Sequence, residues 1–307
     1  MSRGLFRRGL RAYGAAQGVQ ALAGVVGIVV FSRLLTPAEF GWYALAFGLS
    51  AIAHTIVFTW IEAAMARFRP ACPDEGARGA LTASLHRAWA VSAIGFVLIA
   101  APVVWLAPVP EALRSALGAG AAFVLTRSLY RVVQARLRAD GAVIRSAALD
   151  VGQALGALGL GVLAATSGLG SASPLAGAAG ATALCLALGA PLALSPQRSD
   201  AAGPSVRACA AFGLPVAASL LFAAGLASLD RLMVAALLGP DAAGAYHAGF
   251  SLAARPLDLV FLAFGAAAGP ALVRALETGG PDALSRTARA QAEWLALAAP
   301  PVAAGLA

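Results

Sequence analysis

The stretch RLLTPAEFGWYALAFGL at residues 33–49 has a near copy, ALLGPDAAGAYHAGFSL, at residues 236–252. With a shift of 203 residues, seven of the seventeen positions are identical: Leu34/Leu237, Leu35/Leu238, Pro37/Pro240, Gly41/Gly244, Tyr43/Tyr246, Phe47/Phe250 and Leu49/Leu252. Proline starts a helix and cannot continue the preceding one, so each copy predicts a short turn between two helices. Turns between membrane helices can converge on Pro and Gly, but the shared register of aromatics and leucines favours a true repeat.

The composition is that of a polytopic membrane protein. The chain is 60% hydrophobic and 12% charged, with a mean hydropathy of +0.80, whereas soluble domains are about 45–50% apolar and about 25% charged. The formal charge of +8 comes with 22 basic residues, all of them Arg, and their placement at helix ends argues against nucleic-acid binding. Cys72, Cys185 and Cys209 form no close pair and predict neither disulfides nor a metal site, and we expect no cofactor.

Apolar segments of about 20 residues, long enough to cross a bilayer, recur along the chain. They predict helices at about 12–35, 39–62, 86–107, 113–135, 144–167, 174–194, 209–238 and 241–268, with a ninth that begins near residue 290.

The arginines predict the orientation. Seventeen of the 22 fall at the N-terminus or in the connections near 63–87, 131–145, 195–208 and 269–289, and the alternate connections have only Arg33 and Arg114 at their edges. Because positive charge stays on the cytoplasmic side, the N-terminus is predicted to be cytoplasmic.

The repeat predicts two lobes. A shift of six helices keeps both copies in the same orientation, which is a parallel repeat about an axis along the membrane normal. We therefore predict an N-terminal six-helix lobe at 1–198 and a C-terminal lobe at 199–307. A complete second lobe would project to about residue 397, so we expect the second lobe to be truncated, with helices seven to nine only.

Three segments carry a family resemblance: SRLLTPAEFGWYALA after the first helix, FGLPVAASLL in the seventh, and LDRLMVAALLGPDAAGAYHAGFSLA across the seventh and eighth. At these segments the chain resembles the polysaccharide and oligosaccharide flippases of the multidrug/oligosaccharidyl-lipid/polysaccharide exporter superfamily. The resemblance implies two lobes around a central cavity, in the inner membrane of a bacterium. It also implies an undecaprenyl-diphosphate-linked glycan as substrate, as in O-antigen and lipopolysaccharide synthesis, and polysaccharide polymerase machinery as a partner.

The fourth predicted helix carries a polar stripe. Arg127, Arg131, Gln134 and Arg138 follow one another at i, i+4, i+7 and i+11, on one helix face. Guanidinium groups suit phosphate oxygens, so Arg127 and Arg131 are predicted to bind a diphosphate. The alternative is that Arg131 and Arg138 extend to the lipid headgroups, and for Arg138 we favour that interpretation.

Further charges lie in the later spans. Arg231 and Arg255 are predicted as additional substrate-binding cations, and Asp230 and Asp258 as coupling or lobe-bridging acids. Arg255 and Asp258 are three residues apart and could instead form a structural pair.

Polar residues on other spans complete the prediction. Gln17 and Gln20 on the first helix and Gln153 on the fifth are predicted to line the cavity. His54 is interpreted as an interhelical hydrogen-bond partner rather than a proton carrier, and Asp150 as a partner of the arginine stripe.

Three functions remain open. The favoured one is a lipid-linked glycan flippase that works by alternating access. A cation-coupled multidrug exporter of the same superfamily is the first alternative. A membrane glycosyltransferase or ligase is the second, although the chain shows no paired carboxylates or His cluster for such chemistry, so we do not expect an enzyme.

Overall fold

The computed structural model describes residues 3–193, 203–254, 280–294 and 296–297. These residues form α1 (Arg3–Leu34), α2 (Pro37–Val57), α3 (Thr59–Phe68), α4 (Glu75–Leu106), α5 (Glu111–Ala139), α6 (Val143–Thr166), α7 (Ser173–Ala193) and α8 (Val206–Leu238). Residues 240–254 (α9) and 280–294 (α10) are also helical. Short 3₁₀ turns lie at Arg69–Ala71 and Gly170–Ala172. The prediction of an all-α membrane protein is confirmed.

Within the described residues, six helical segments are long and apolar enough to cross a membrane: Gly14–Leu34, Pro37–Val57, Glu75–Leu106, Val143–Thr166, Gly170–Gly189 and Val206–Leu238. The predicted span at 113–135 is part of α5, which lies outside this set because of its charged residues. α5 packs against α2, α3 and α7, so neighbouring helices cover much of its polar surface.

Two predicted boundaries are wrong. The predicted connection at 63–87 is largely helical, since α3 continues to Phe68 and α4 already begins at Glu75. The Asp74 side chain accepts a 2.7 Å hydrogen bond from the Ala77 N–H and starts α4 there. A search for apolar runs misses the polar first turns of such a helix.

The predicted helix at 39–62 is interrupted at Phe58, which separates α2 from α3. The interruption frees the carbonyl group of Val57, and the Trp60 indole Nε1 donates to it at 3.1 Å. The Phe58 side chain is fully buried in a core with Ile61 and Leu81. The break therefore has both a hydrogen-bond partner and a packed anchor.

The two copies of the repeated turn pack against each other. A Cβ atom built on Gly41 would overlap the carbonyl oxygen of Pro240, and one built on Gly244 would lie 2.5 Å from the carbonyl oxygen of Pro37. Each glycine thus lies against the proline of the other copy, which is the reciprocal contact expected of a local two-fold relationship. Only glycine permits this backbone approach.

The turns themselves use different chemistry. In the first copy Thr36 and Glu39 form a capping box, in which each side chain bonds to the other residue's backbone N–H. In the second copy Gly239 stands where the first copy has Thr36, directly before the proline. Its φ is 88°, a conformation that favours glycine.

An ion-pair cluster joins the C-terminal ends of α3 and α5 to the N-terminal part of α4. Arg69 is 2% exposed. Its Nε and Nη2 donate to the two carboxylate oxygens of Asp140 at 2.6 and 2.9 Å, and its Nη1 donates to Thr82 Oγ1 at 2.7 Å.

The described chain forms two compact units, residues 1–247 and 248–307. In the first unit α8 packs along α2 and α3, α1 packs on α6, and α6 packs on α7. The predicted lobe boundary near residue 198 was inferred from the internal repeat and stays a prediction.

Candidate functional site

A cavity of about 830 Å³ lies within the first unit, between α2, α3, α5 and α8. It extends from the level of Phe47 and Phe123 to Pro70 and Ala139, beside the connections at 69–74 and 140–142. Its polar lining consists of Ser50, His54, Thr55, Thr59, Glu62, Arg127, Arg131, Gln134 and Arg138.

The polar stripe of α5 faces this cavity. Arg127, Arg131, Gln134 and Arg138 all line it, as the spacing on one helix face requires. Close packing of α5 on α2 sets this orientation, because a Cβ at Gly120 would lie 2.5 Å from the Ser50 hydroxyl.

Arg127 is half-buried at the N-terminal end of the stripe. Its guanidinium carbon lies 5.3 Å from the centre of the Phe123 ring, a cation–π contact. Among the described residues no carboxylate oxygen lies within 4.0 Å of its nitrogens. Arg127 therefore offers hydrogen-bond donors to an anion in the cavity.

Glu62 lies between His54 and Arg131. Its Oε1 lies 2.8 Å from His54 Nε2, and its Oε2 lies 3.5 Å from Arg131 Nε. The helix break at Phe58 separates His54 on α2 from Glu62 on α3, and brings the two side chains together at the cavity wall.

A buried hydrogen-bond network holds the C-terminal part of the α5 stripe, Gln134 and Arg138. Asp150 on α6 accepts from Tyr130 Oη at 3.0 Å, from Gln134 Nε2 at 3.0 Å and from Arg138 Nη2 at 2.9 Å. Arg138 Nε also donates to the hydroxyl of Ser146 at 3.1 Å. Arg138 is thus fixed at the cavity by Asp150, and the expected extension of its side chain to the lipid headgroups is not observed.

The wall opposite the stripe is apolar. α8 contributes Val216, Leu220, Ala223 and Ala224. Among the described residues, three guanidinium groups and one carboxylate, that of Glu62, give the cavity lining an excess of positive charge. Such a cavity suits an anion that carries an apolar part.

The other predicted charges lie elsewhere. Asp230 on α8 accepts a 2.6 Å hydrogen bond from the Tyr246 hydroxyl on α9 and bonds to the backbone N–H of Arg231. Neither Asp230 nor Arg231 lines the cavity, and the Tyr246 contact joins two adjacent helices of the second repeat. Arg255 and Asp258 lie outside the described residues.

The three glutamines predicted to line the cavity do not reach it. Gln153 on α6 donates to Thr182 Oγ1 on α7 at 3.4 Å. Gln17 and Gln20 lie on α1, which packs mainly against α6. The packing partner of α1 decides which way its small polar face points, and a single helix sequence does not specify that partner.

Two site residues were missed or underrated from the sequence. Glu62, at the end of the predicted second helix, received no role, and His54 was interpreted as an interhelical hydrogen-bond partner without its partner Glu62 being identified. A carboxylate inside an apolar span is itself a signal of function, and the eight-residue spacing from His54 keeps both near one helix face.

Comparison with known proteins gives the family. The family model described as polysaccharide biosynthesis protein matches residues 30–307. No curated protein sequence matches the chain.

Three solved structures share the fold. A chain described as "protein A" is 16% identical with a TM-score of 0.61, over 84% of this chain and 61% of that one. The MATE multidrug transporter DinF-BH, solved in complex with a ligand, is 14% identical with a TM-score of 0.58, over 84% and 63%. An inward-facing multidrug resistance MATE family transporter of the MOP superfamily is 17% identical with a TM-score of 0.55, over 98% and 71%.

The chain therefore spans slightly more than three fifths of the first two structures. The resemblance found in the repeated turns is confirmed at the level of family and fold. The chain belongs to the polysaccharide biosynthesis protein family and has the fold of the MATE transporters of the MOP superfamily.

Proposed function

We propose that the protein moves a lipid-linked glycan, joined to its lipid through a diphosphate, from the inner to the outer leaflet of the bacterial inner membrane. The observation that carries this proposal is the placement of Arg127, Arg131 and Arg138 in one cavity whose lining, among the described residues, has one carboxylate, that of Glu62. The polysaccharide biosynthesis family supports a glycan as the transported group.

The diphosphate binds the α5 stripe. Arg127 receives it first, because its guanidinium has no carboxylate partner among the described residues. Arg138 is held in place by Asp150 and adds positive charge at the mouth of the cavity. The two phosphates of a diphosphate can be bound by several guanidinium groups at once through paired N–H donors.

The cavity extends to the connections at 69–74 and 140–142, which the arginine distribution predicts to be cytoplasmic. At the other end the two repeated turns pack backbone to backbone. This arrangement supports an inward-facing state, from which the lobes rock to open the opposite side, with the N-terminus in the cytoplasm. Polymerase machinery is the expected consumer of the exported glycan.

Complementation tests this function. The protein is expressed in a strain that lacks its own lipid-linked glycan flippase, and surface glycan is measured for the wild type and for Arg127→Ala. We expect surface glycan with the wild type and its loss with Arg127→Ala at equal membrane abundance. Arg87→Ala, on α4 and outside the cavity lining, is the matched arginine control. Equal export by Arg127→Ala and Arg87→Ala would reject the proposed site.

A cation-coupled multidrug exporter is the second candidate. It is favoured by the likeness to the multidrug transporter DinF-BH and by the carboxylate of Glu62 in the cavity. Drug-resistance measurements in the same strains separate the two functions. Resistance to cationic drugs without glycan export would favour the second.

A further inference from the structure

We propose that Glu62 is an internal competitor for the transported anion: it holds Arg131 while the cavity is empty and releases it when the diphosphate binds. This inference rests on the proposed function and adds regulation of the same site. It gives a role to the Glu62 carboxylate, which lines the same cavity as Arg127, Arg131 and Arg138.

The contact between Glu62 and Arg131 has the geometry of a weak pair. Arg131 Nε lies 3.5 Å from Glu62 Oε2, beyond the range of 2.7–2.9 Å that is typical of a charge-assisted hydrogen bond. The Arg131 side chain is 46% exposed, whereas Glu62 is 14% exposed. Arg131 is therefore the partner that can move, and Glu62 is the fixed one.

Glu62 keeps a partner after Arg131 leaves. His54 Nε2 lies 2.8 Å from its other oxygen, on the other side of the helix break at Phe58. The two atoms lie at ion-pair distance without the alignment of a hydrogen bond, so after Arg131 leaves, His54 is the polar neighbour that lowers the cost of the carboxylate in the cavity wall. α8 faces the site with apolar side chains only, so no group on that helix competes for either partner.

The exchange favours a diphosphate over simpler anions. A diphosphate offers several oxygens and more than one negative charge to the guanidinium forks of Arg127 and Arg131. A smaller anion such as inorganic phosphate contacts fewer guanidinium groups, gains less, and must still displace Glu62 from Arg131. Glu62 thereby lowers the affinity of the cavity for anions in general, and a diphosphate that contacts both arginines still gains enough to bind.

Binding to the purified protein tests this inference. Geranyl diphosphate and inorganic phosphate are titrated by calorimetry into the wild type, Glu62→Gln, Arg131→Ala and the double variant. Glu62→Gln keeps the shape of the side chain and removes its charge. We expect it to tighten geranyl diphosphate binding by about threefold or more, and to tighten phosphate binding by a comparable factor, because both anions displace the same carboxylate from Arg131. The gain must disappear in the Arg131→Ala background, because the effect acts through Arg131.

Two further variants serve as controls. Glu75→Gln removes a carboxylate that pairs with Arg78 outside the cavity and should leave both affinities unchanged. Glu62→Asp draws the carboxylate back from Arg131 and should give a smaller gain, which keeps the test decisive if Glu62→Gln does not fold.

The outcomes separate the two proposals. If the wild type binds geranyl diphosphate, Arg127→Ala weakens binding, and Glu62→Gln gives no gain, only the competitor role is overturned. A gain that persists without Arg131 also overturns it. If the wild type does not bind geranyl diphosphate, the diphosphate site fails and the competitor role fails with it.

Discussion

Gly41 and Gly244, which are 203 residues apart and occupy equivalent positions in the two repeated turns, lie in backbone contact. A Cβ at Gly244 would come within 3.0 Å of the Gly41 nitrogen and 2.5 Å of the Pro37 oxygen. The repeat that was recognised in the sequence is thus also a contact surface. It lies at the N-terminal end of α2, whereas the cavity extends toward the C-terminal ends of α3 and α5.

Alanine at either glycine should separate the two turns. We expect Gly41→Ala to lower the free energy of unfolding by about 1–3 kcal/mol, because the new methyl group overlaps backbone that has no free rotamer. Gly95→Ala on α4, where a Cβ meets nothing within 4 Å, is the control and should be neutral or slightly stabilising. Thermal unfolding of the purified variants measures both, and equal melting temperatures would contradict the packing of the two turns.

The cluster of Arg69 and Asp140 should behave as a buried ion pair. Asp140→Ala leaves the buried guanidinium of Arg69 without its carboxylate, and we expect a loss of roughly 3 kcal/mol in the free energy of unfolding. Replacement of both residues by apolar ones, as in Arg69→Met with Asp140→Leu, should recover most of the loss. Chemical denaturation of the three proteins checks this. A single variant as stable as the wild type would show that the pair contributes little.

Arg138 should be required for both stability and transport. Its removal leaves Asp150, which is 7% exposed, without a cation, and it takes one positive charge from the cavity. We therefore expect Arg138→Ala to reduce surface glycan in the complementation assay. If Arg138 only contacted lipid headgroups, the reduction would be smaller. The paired variant Arg138→Ala with Asp150→Asn should restore the melting temperature but not the export. Restoration of both would assign Arg138 a purely structural role.

Much of this arrangement follows from local sequence, and the remainder depends on packing. The cavity face of α5 was predictable because Arg127, Arg131 and Arg138 share one helix and its periodicity fixes their common side. The pairing of His54 with Glu62 was not predictable, because it depends on a helix break at Phe58. No Pro or Gly near Phe58 marks that break in the sequence. Gln17 and Gln20 were predicted to line the cavity and do not, for a related reason. α1 packs on α6, and this packing depends on all the helices of the bundle rather than on the sequence of α1.

The orientation of the chain can be measured by labelling. Asp241 and Glu75 are exposed positions, and the arginine distribution predicts that the first is periplasmic and the second cytoplasmic. A membrane-impermeant maleimide added to whole cells should label Asp241→Cys and not Glu75→Cys. The three native cysteines are buried, and burial raises the pKa of the Cys72 thiol, so background labelling should be low. Labelling of Glu75→Cys alone would reverse the orientation.

Photo-crosslinking tests the diphosphate cavity most directly. A photoreactive amino acid is placed at Ala66, which lines the cavity, and at Leu98, which is 69% exposed on α4, in cells that contain radiolabelled lipid-linked diphosphate glycan. We predict that the lipid-linked glycan is captured from Ala66 and not from Leu98, and that Arg127→Ala abolishes the capture. Capture that is equal from both positions, or that is unchanged by Arg127→Ala, would contradict a diphosphate site on the α5 stripe.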